Sequence, residues 1–113
     1  MASTKPLIGI STNEITNFNG RQVSHSTGLR YVEAVKKFTD GIPILIPSYI
    51  NDEDLDQLLS KIDGLVLTGG RANVEPHHFG GNPFPSDEPI DVGRDEIVLK
   101  IIPKSRDANF WNM

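Results

Sequence analysis

Three short apolar segments constrain the fold more than any other feature of this sequence. They cover residues 6–12, 42–47 and 64–68; each is too short for a helix and is bounded by Gly, Pro or small polar residues. Helical patterns separate them, giving the order strand, helix, strand, helix, strand. With short connections, this order predicts an α/β domain with a parallel sheet and right-handed crossovers. We expect the strand at residues 42–47 to be buried on both faces.

The first predicted helix spans residues 28–38. Its apolar residues recur every three positions and predict one stripe facing the sheet: Leu29, Val32, Val35 and Phe38. Ser26 and Thr27 precede it as candidate N-caps, and Asp40-Gly41 follows as its C-terminal stop.

Two further helices follow from the same kind of pattern. One opens at Asp52, where three acidic residues favour a helix N-terminus. Its apolar set has the spacing i, i+3, i+4, i+7: Leu55, Leu58, Leu59 and Ile62. The last predicted helix covers residues 93–102.

The loops that follow the strands are the expected ligand-binding region, because ligands of such sheets bind beyond the carboxyl ends of the strands. These loops cover residues 11–25, 47–51 and 69–88. Residues 13–25 are polar and predict a loop with a turn at Asn19-Gly20. Residues 69–88 are rich in Pro, Gly and His, and their composition is the most unusual of the three.

Charge and composition exclude several classes of function. A net charge of −4 with interspersed signs provides no basic face for nucleic acid or anionic lipid. The chain has no membrane-spanning apolar run and no secretory leader pattern, so we expect a cytoplasmic protein. It also has no cysteine, and it lacks the Gly-rich fingerprints of dinucleotide and phosphate sites, so we expect no cofactor.

The order of these segments resembles one known family. The chain reads PLIGIST at 6–12, YVEAV at 31–35, IPILIP at 42–47, DGLVLTGG at 63–70, ANVEPHHFGG at 72–81 and D-x-G-R-D at 91–95. This succession is similar to the class I glutamine amidotransferase-like hydrolases that cleave γ-glutamyl-γ-aminobutyrate, over about residues 6–102. The resemblance implies a partial flavodoxin-like parallel sheet with flanking helices. Residues 1–113 would be the N-terminal part of that domain.

The resemblance also implies a chemistry. In the family a Cys, activated by a His and oriented by an acid, attacks a γ-glutamyl amide, and backbone amides stabilise the oxyanion. The Gly-Gly after the third strand maps onto Gly69 and Gly70, where glycine would allow close approach and the backbone angle that aims the N–H groups. Arg71, Asn73 and His25 are the candidate substrate-binding residues.

The family's nucleophile is absent from the sequence. In the family, the helix at the Arg-Asp motif leads to a strand ending in G-I-C-R-G, whereas residues 103–113 form a tail that does not match this pattern. Read one base later, the codons of residues 107–113 can encode I-F-G-I-C. We therefore expect a truncated domain, with a frameshift between about residues 102 and 107, that is inactive alone.

Other clusters have simpler interpretations. His77 and His78 lie next to Glu75, but neighbouring loop residues point in different directions, so we expect no metal site. The 91–95 motif predicts a local ion pair among Asp91, Arg94 and Asp95 that fixes a helix start.

Three functional alternatives remain open. The chain is an enzyme fragment with part of a γ-glutamyl site, a non-catalytic interaction module, or a non-functional product of a damaged gene. As a module it would be a half-domain completed by a C-terminal partner, or a homo-oligomer. As an enzyme fragment it could instead belong to a glutamine amidotransferase-like subunit, because the sequence does not separate a γ-glutamyl hydrolase from an ammonia-donating amidotransferase.

Overall fold

Strand β1 (Leu7–Ser11) lies at the centre of a three-stranded parallel sheet in the computed structural model, which describes residues 4–70 and 72–107. It pairs with β4 (Ile42–Ile46) on one side and β5 (Gly64–Val66) on the other. In chain order, the three parallel strands are arranged 2-1-3, as in the first half of a flavodoxin-like sheet. The α/β prediction is confirmed. Strand β5 ends two residues earlier than expected.

Strand β4 lies at an edge of the described sheet, and the prediction that it is buried on both faces is wrong. Ile42 and Leu45 are 44% and 43% exposed. Ile42 N–H donates to the Pro6 carbonyl of the β1 side at 2.7 Å, so the next nitrogen, that of Pro43, faces the open edge. Proline is tolerated there because an edge strand leaves that position unpaired.

Helix α1 (Leu29–Thr39) packs on one face of the sheet through Val35, against Ile8 and Ile10 of β1. The predicted four-residue stripe is only partly correct, because Leu29 and Phe38 are 69% and 77% exposed. Each three-residue step falls about 60° short of a full helical turn, so three steps carry the stripe about 180° around the helix. Only its middle faces the sheet.

Helices α2 (Asp52–Lys61) and α3 (Val92–Asp107) cover the other face. Their apolar cluster contains Ile46, Leu55, Leu59, Ile62, Ile97 and Ile101. The side chain of Asn51 caps α2 by accepting from Asp54 N–H at 2.7 Å. The Lys100 ammonium lies 3.0 Å from the Asp52 carboxylate and lowers its pKa. The predicted start and apolar face of α2 are confirmed.

Helix α3 is longer than its predicted span of residues 93–102. It begins at Val92 and continues past Pro103, so residues 103–107 of the predicted tail are helical. A proline inside a helix removes one backbone hydrogen bond, and the sequence pattern therefore suggested a stop at this point. The shifted-frame interpretation depends mainly on residues 108–113, which lie outside the described residues.

An antiparallel hairpin replaces the polar loop predicted at residues 13–25. It consists of β2 (Asn13–Asn17) and β3 (Gln22–Ser26), joined by a turn in which Phe18, Asn19 and Gly20 adopt left-handed φ angles of 56°, 55° and 84°. The Asn-Gly turn is confirmed. The strands escaped prediction because both are mostly polar and lack a buried apolar face.

The hairpin also moves the start of α1. Ser26 is the last residue of β3, and the N-cap position of α1 is Gly28, which has no side chain to cap the helix. The predicted N-caps Ser26 and Thr27 are therefore wrong by one or two residues. Across residues 4–70 and 72–107, no helix is both long and apolar enough to cross a membrane.

Candidate functional site

Hydroxyl groups fix the chain where it leaves β1 and β5. Thr68 N–H donates to Ser11 Oγ at 2.9 Å, and the two side-chain oxygens lie 3.3 Å apart. Thr12 Oγ1 donates to the Ile46 carbonyl at 2.8 Å, which ties the end of β1 to the end of β4. All three hydroxyl residues are at least 95% buried. Their hydrogen bonds therefore connect the carboxyl ends of the three strands in the interior of the domain.

Side chains from three different elements hold the loop that follows β5. Arg94 of α3 donates through Nη2 to the Thr68 carbonyl at 3.0 Å and through Nη1 to the Ala72 carbonyl at 2.8 Å. Asn13 of β2 donates through Nδ2 to the Gly69 carbonyl at 3.3 Å. Tyr31 of α1 accepts from Gly69 N–H at 3.3 Å.

Gly70 N–H is the exception in this loop. Within residues 4–70 and 72–107, no group accepts a hydrogen bond from it. The two oxyanion-hole candidates therefore differ: Gly69 N–H is directed at a tyrosine hydroxyl, and Gly70 N–H is available to a ligand.

The two glycines also differ in the space around them. A Cβ on Gly70 would lie 2.6 Å from Asn13 Oδ1 and 3.0 Å from Arg94 Nη1, whereas a Cβ on Gly69 would approach nothing closer than 3.7 Å. Neither glycine adopts the left-handed conformation. The backbone-angle part of the predicted reason for the Gly-Gly pair is therefore wrong, and the close approach of two side chains at Gly70 is what requires glycine.

The first turn of α3 connects this loop to the hairpin. Asp91, 6% exposed, accepts from Arg94 N–H at 3.0 Å through Oδ1 and from Glu14 N–H at 2.9 Å through Oδ2. Asp95, 2% exposed, accepts from Glu75 N–H at 3.0 Å. The predicted helix start is confirmed. The predicted ion pair is wrong for the described residues, because these carboxylates bind backbone N–H groups and the Arg94 guanidinium binds carbonyls.

A cleft of about 550 Å³ opens between the hairpin and this loop. Its lining residues are Asn13, Glu14, Ile15, Thr16, Gly70, Ala72, Pro89, Ile90 and Asp91. Gly70 and Asn13 thus contribute to the cleft as well as contacting each other. The volume suits a small molecule.

His25 stands behind this cleft and does not line it. Its Nε2 lies 3.8 Å from the Glu14 carboxylate, and its ring centroid is 5.9 Å from that of Tyr49. Desolvation, followed by the nearby Glu14 carboxylate, raises the pKa of the Tyr49 hydroxyl. The link of His25 to the cleft in the described residues is Glu14, which lines the cleft.

The remaining candidate residues lie apart from the cleft or outside the described chain. Asn73 is exposed and is not among the residues that line the cleft. Arg71 is outside the described residues. His78 approaches Asp95 at 3.9 Å, and its ring lies 4.0 Å from that of His77. The described residues contain no cluster of three or more side chains able to hold a metal ion.

Comparison with known families extends the resemblance found in the sequence. The model of the peptidase C26 family matches residues 6–110, which include every strand and helix from β1 to α3. The chain belongs to the peptidase C26 family. The relationship to class I amidotransferase-like hydrolases inferred from the order of segments is confirmed.

Several curated relatives of this peptidase C26 chain are bacterial hydrolases. The γ-glutamyl-γ-aminobutyrate hydrolase PuuD of Escherichia coli (strain K12) is 44% identical over 64 residues, which is 55% of this chain and 24% of the relative. The corresponding hydrolases of Shigella sonnei and Shigella flexneri are 44% and 42% identical over the same extent. The matched stretch therefore spans about a quarter of the length of these relatives.

Sequence reasoning singled out the glycine pair but missed the side chains that hold it. Asn13 follows the buried end of β1, and Tyr31 belongs to the YVEAV segment. The position of Asn13 was the available signal, because a polar residue just beyond the end of a buried strand lies at the ligand-binding edge of a parallel sheet. No feature of the sequence indicated that Arg94 would bind the carbonyls of Thr68 and Ala72.

Proposed function

We propose that this chain supplies the oxyanion-binding and substrate-binding part of a cytoplasmic hydrolase of γ-glutamyl amide bonds. The observation that carries the proposal is the Gly70 N–H, which has no acceptor among the described residues and lies beyond the carboxyl end of β5, beside a cleft of about 550 Å³. Amide hydrolysis passes through a tetrahedral oxyanion, and a fixed backbone N–H is the group that stabilises it. The names of the curated relatives support the γ-glutamyl substrate class.

The 113 residues contain no cysteine, so a cysteine nucleophile would have to be supplied by residues other than these. Removing the nucleophile from such a site costs several orders of magnitude in rate. We therefore expect the 113-residue chain to bind a γ-glutamyl compound without cleaving it.

The γ-glutamyl group offers an ammonium and a carboxylate for recognition. Glu14 gives the cleft a carboxylate suited to the ammonium, with His25 placed behind it at 3.8 Å. Arg71 follows Gly70 directly in the chain, and its guanidinium suits the α-carboxylate. Asn73 does not line the cleft and has no part in this assignment. In this assignment His25 acts through Glu14, while Arg71 contacts the ligand.

A nuclear magnetic resonance titration of the 15N-labelled chain tests the proposal. Added γ-glutamyl-γ-aminobutyrate should shift the amide signals of Gly70 and of cleft residues such as Ile15 and Ala72, and no hydrolysis products should appear. The α-linked isomer of the same composition is the matched control and should shift them much less. Equal responses to the two isomers, or no response in the cleft, would refute the γ-glutamyl assignment.

A second candidate is a half-domain completed by another chain, such as the C-terminal half of an amidotransferase-like protein or a second copy. Among the described residues, β5 pairs only with β1, which leaves one edge able to accept a strand. Copurification of a partner that contains a Cys nucleophile, with activity appearing only in the complex, would favour this candidate.

A further inference from the structure

The orientation of the Gly70 N–H depends on the group that holds the other end of its peptide bond. In a trans peptide the carbonyl and the N–H point in opposite directions. The Gly69 carbonyl belongs to the same peptide plane as Gly70 N–H, and it accepts from Asn13 Nδ2 at 3.3 Å. By holding the Gly69 carbonyl, Asn13 directs the Gly70 N–H away from the Asn13 side chain.

The preceding peptide plane obeys the same rule. The Thr68 carbonyl accepts from Arg94 Nη2 at 3.0 Å, and Gly69 N–H, at the other end of that plane, donates to the Tyr31 hydroxyl at 3.3 Å. Arg94 also holds the Ala72 carbonyl at 2.8 Å through Nη1. One planar guanidinium thus fixes the loop on both sides of the glycine pair.

The glycine pair makes such external anchors necessary. Any residue with a Cβ would clash at position 70, because Asn13 Oδ1 and Arg94 Nη1 occupy the space in which the Cβ would lie. A Gly-Gly peptide has more accessible backbone conformations than any other, so its plane is the least determined by local sterics. The two side chains that exclude a Cβ are also the ones that restrain the plane.

We propose that Asn13 and Arg94 are positioning residues that orient the Gly70 N–H toward the substrate carbonyl. This inference rests on the proposed function for the identity of the ligand. Asn13 sets the plane of the 69–70 peptide, and Arg94 holds the carbonyls of Thr68 and Ala72, which lie before and after the glycine pair. Neither side chain needs to touch the reacting atoms.

The experiment begins without ligand, in the 15N,13C-labelled full chain. The Gly69 carbonyl 13C shift reports its hydrogen bond, and the nuclear Overhauser effect between Gly69 Hα and Gly70 N–H reports the torsion between them. Asn13→Ala should move the carbonyl shift upfield and change that effect, while signals of the sheet stay in place. Asn17→Ala, at the other end of β2, is the matched control and should leave both readouts unchanged.

A second pair of variants tests the guanidinium. Arg94→Lys keeps the charge but replaces the planar fork with a single ammonium, which is poorly suited to hold both carbonyls. It should shift the Thr68 or Ala72 carbonyl signal, whereas Arg30→Lys on α1 should shift neither. Preserved carbonyl signals in Arg94→Lys would overturn the assignment of Arg94.

Ligand is added last. Asn13→Ala should weaken binding of γ-glutamyl-γ-aminobutyrate by about tenfold relative to the Asn17→Ala control. An unchanged Gly69–Gly70 geometry in Asn13→Ala overturns the positioning role whatever the ligand does. Altered geometry in a chain that never binds the ligand leaves the positioning role supported and refutes only the proposed function.

Discussion

The α2–α3 side of the sheet and the loop at residues 68–72 are held by different kinds of interaction. The first is an apolar cluster in which Leu55, Leu59 and Ile101 are at most 2% exposed. The second contains two glycines and is held by hydrogen bonds from Asn13 and Arg94 and to Tyr31. Apolar burial is strong but non-directional, whereas each hydrogen bond adds little net stability and fixes an orientation. The comparison separates what stabilises the chain from what shapes its site.

The largest expected effect comes from the apolar cluster. Ile101 is 0% exposed and its neighbour Ile102 is 52% exposed, which makes them a matched pair on α3. Ile101→Ala should lower the free energy of unfolding by about 2–5 kcal/mol, because it removes buried methyl groups and leaves a cavity. Ile102→Ala should cost less than half as much. Urea denaturation of both variants measures the difference, and equal losses would refute the described packing of α3.

The glycine pair gives an intermediate effect. Gly70→Ala places a Cβ 2.6 Å from Asn13 Oδ1 and should cost about 1–3 kcal/mol of stability through displaced side chains. Gly69→Ala meets only ordinary contact distances and should cost less. Unfolding curves give the stabilities, and the ligand titration should show impaired binding in Gly70→Ala. A less stable Gly69→Ala would contradict the described loop.

The smallest effect belongs to the surface pair that joins α2 to α3. Lys100 lowers the pKa of Asp52, so the carboxylate form is favoured by folding. This contribution is present above the unfolded value near 3.8 and is lost as the pH falls through the lower folded pKa. Because asparagine cannot be protonated in this range, the Asp52→Asn variant should lose slightly less stability than the unmodified chain when the pH falls below about 3.8. Urea midpoints at neutral and acidic pH measure it, and an enhanced acid sensitivity in the variant would contradict the sign.

The parts of the fold that were predictable are those with a strong local pattern. The central strand is a short continuous apolar run and α2 has apolar residues at the helical period, and both were predicted. The hairpin was missed because its stability depends on backbone pairing between two polar strands, such as Glu14 opposite His25. The longer α3 was missed because contacts with α2, including the Lys104–Asp56 pair at 2.7 Å, continue beyond Pro103, a residue that disfavours the helix locally.

The site was predictable only at the level of its glycines. The Gly-Gly pair follows a strand, and that position indicates a ligand-binding edge. The contact of Asn13 with Gly69 joins residues 56 positions apart, and the contact of Arg94 with Thr68 spans 26. No local sequence pattern reveals contacts over such separations. The sequence therefore predicted an ion pair for Arg94, whereas its guanidinium binds two loop carbonyls.

The most direct test of the account compares two ligands that differ only at the reacting amide group. One is γ-glutamyl-γ-aminobutyrate, and the other is its phosphinate analogue, in which a tetrahedral anionic group replaces the planar amide. If Gly70 N–H is an oxyanion donor, calorimetry should give at least about tenfold tighter binding of the phosphinate, since such a site favours the transition state over the substrate. Equal affinity, or tighter binding of the amide, would contradict it.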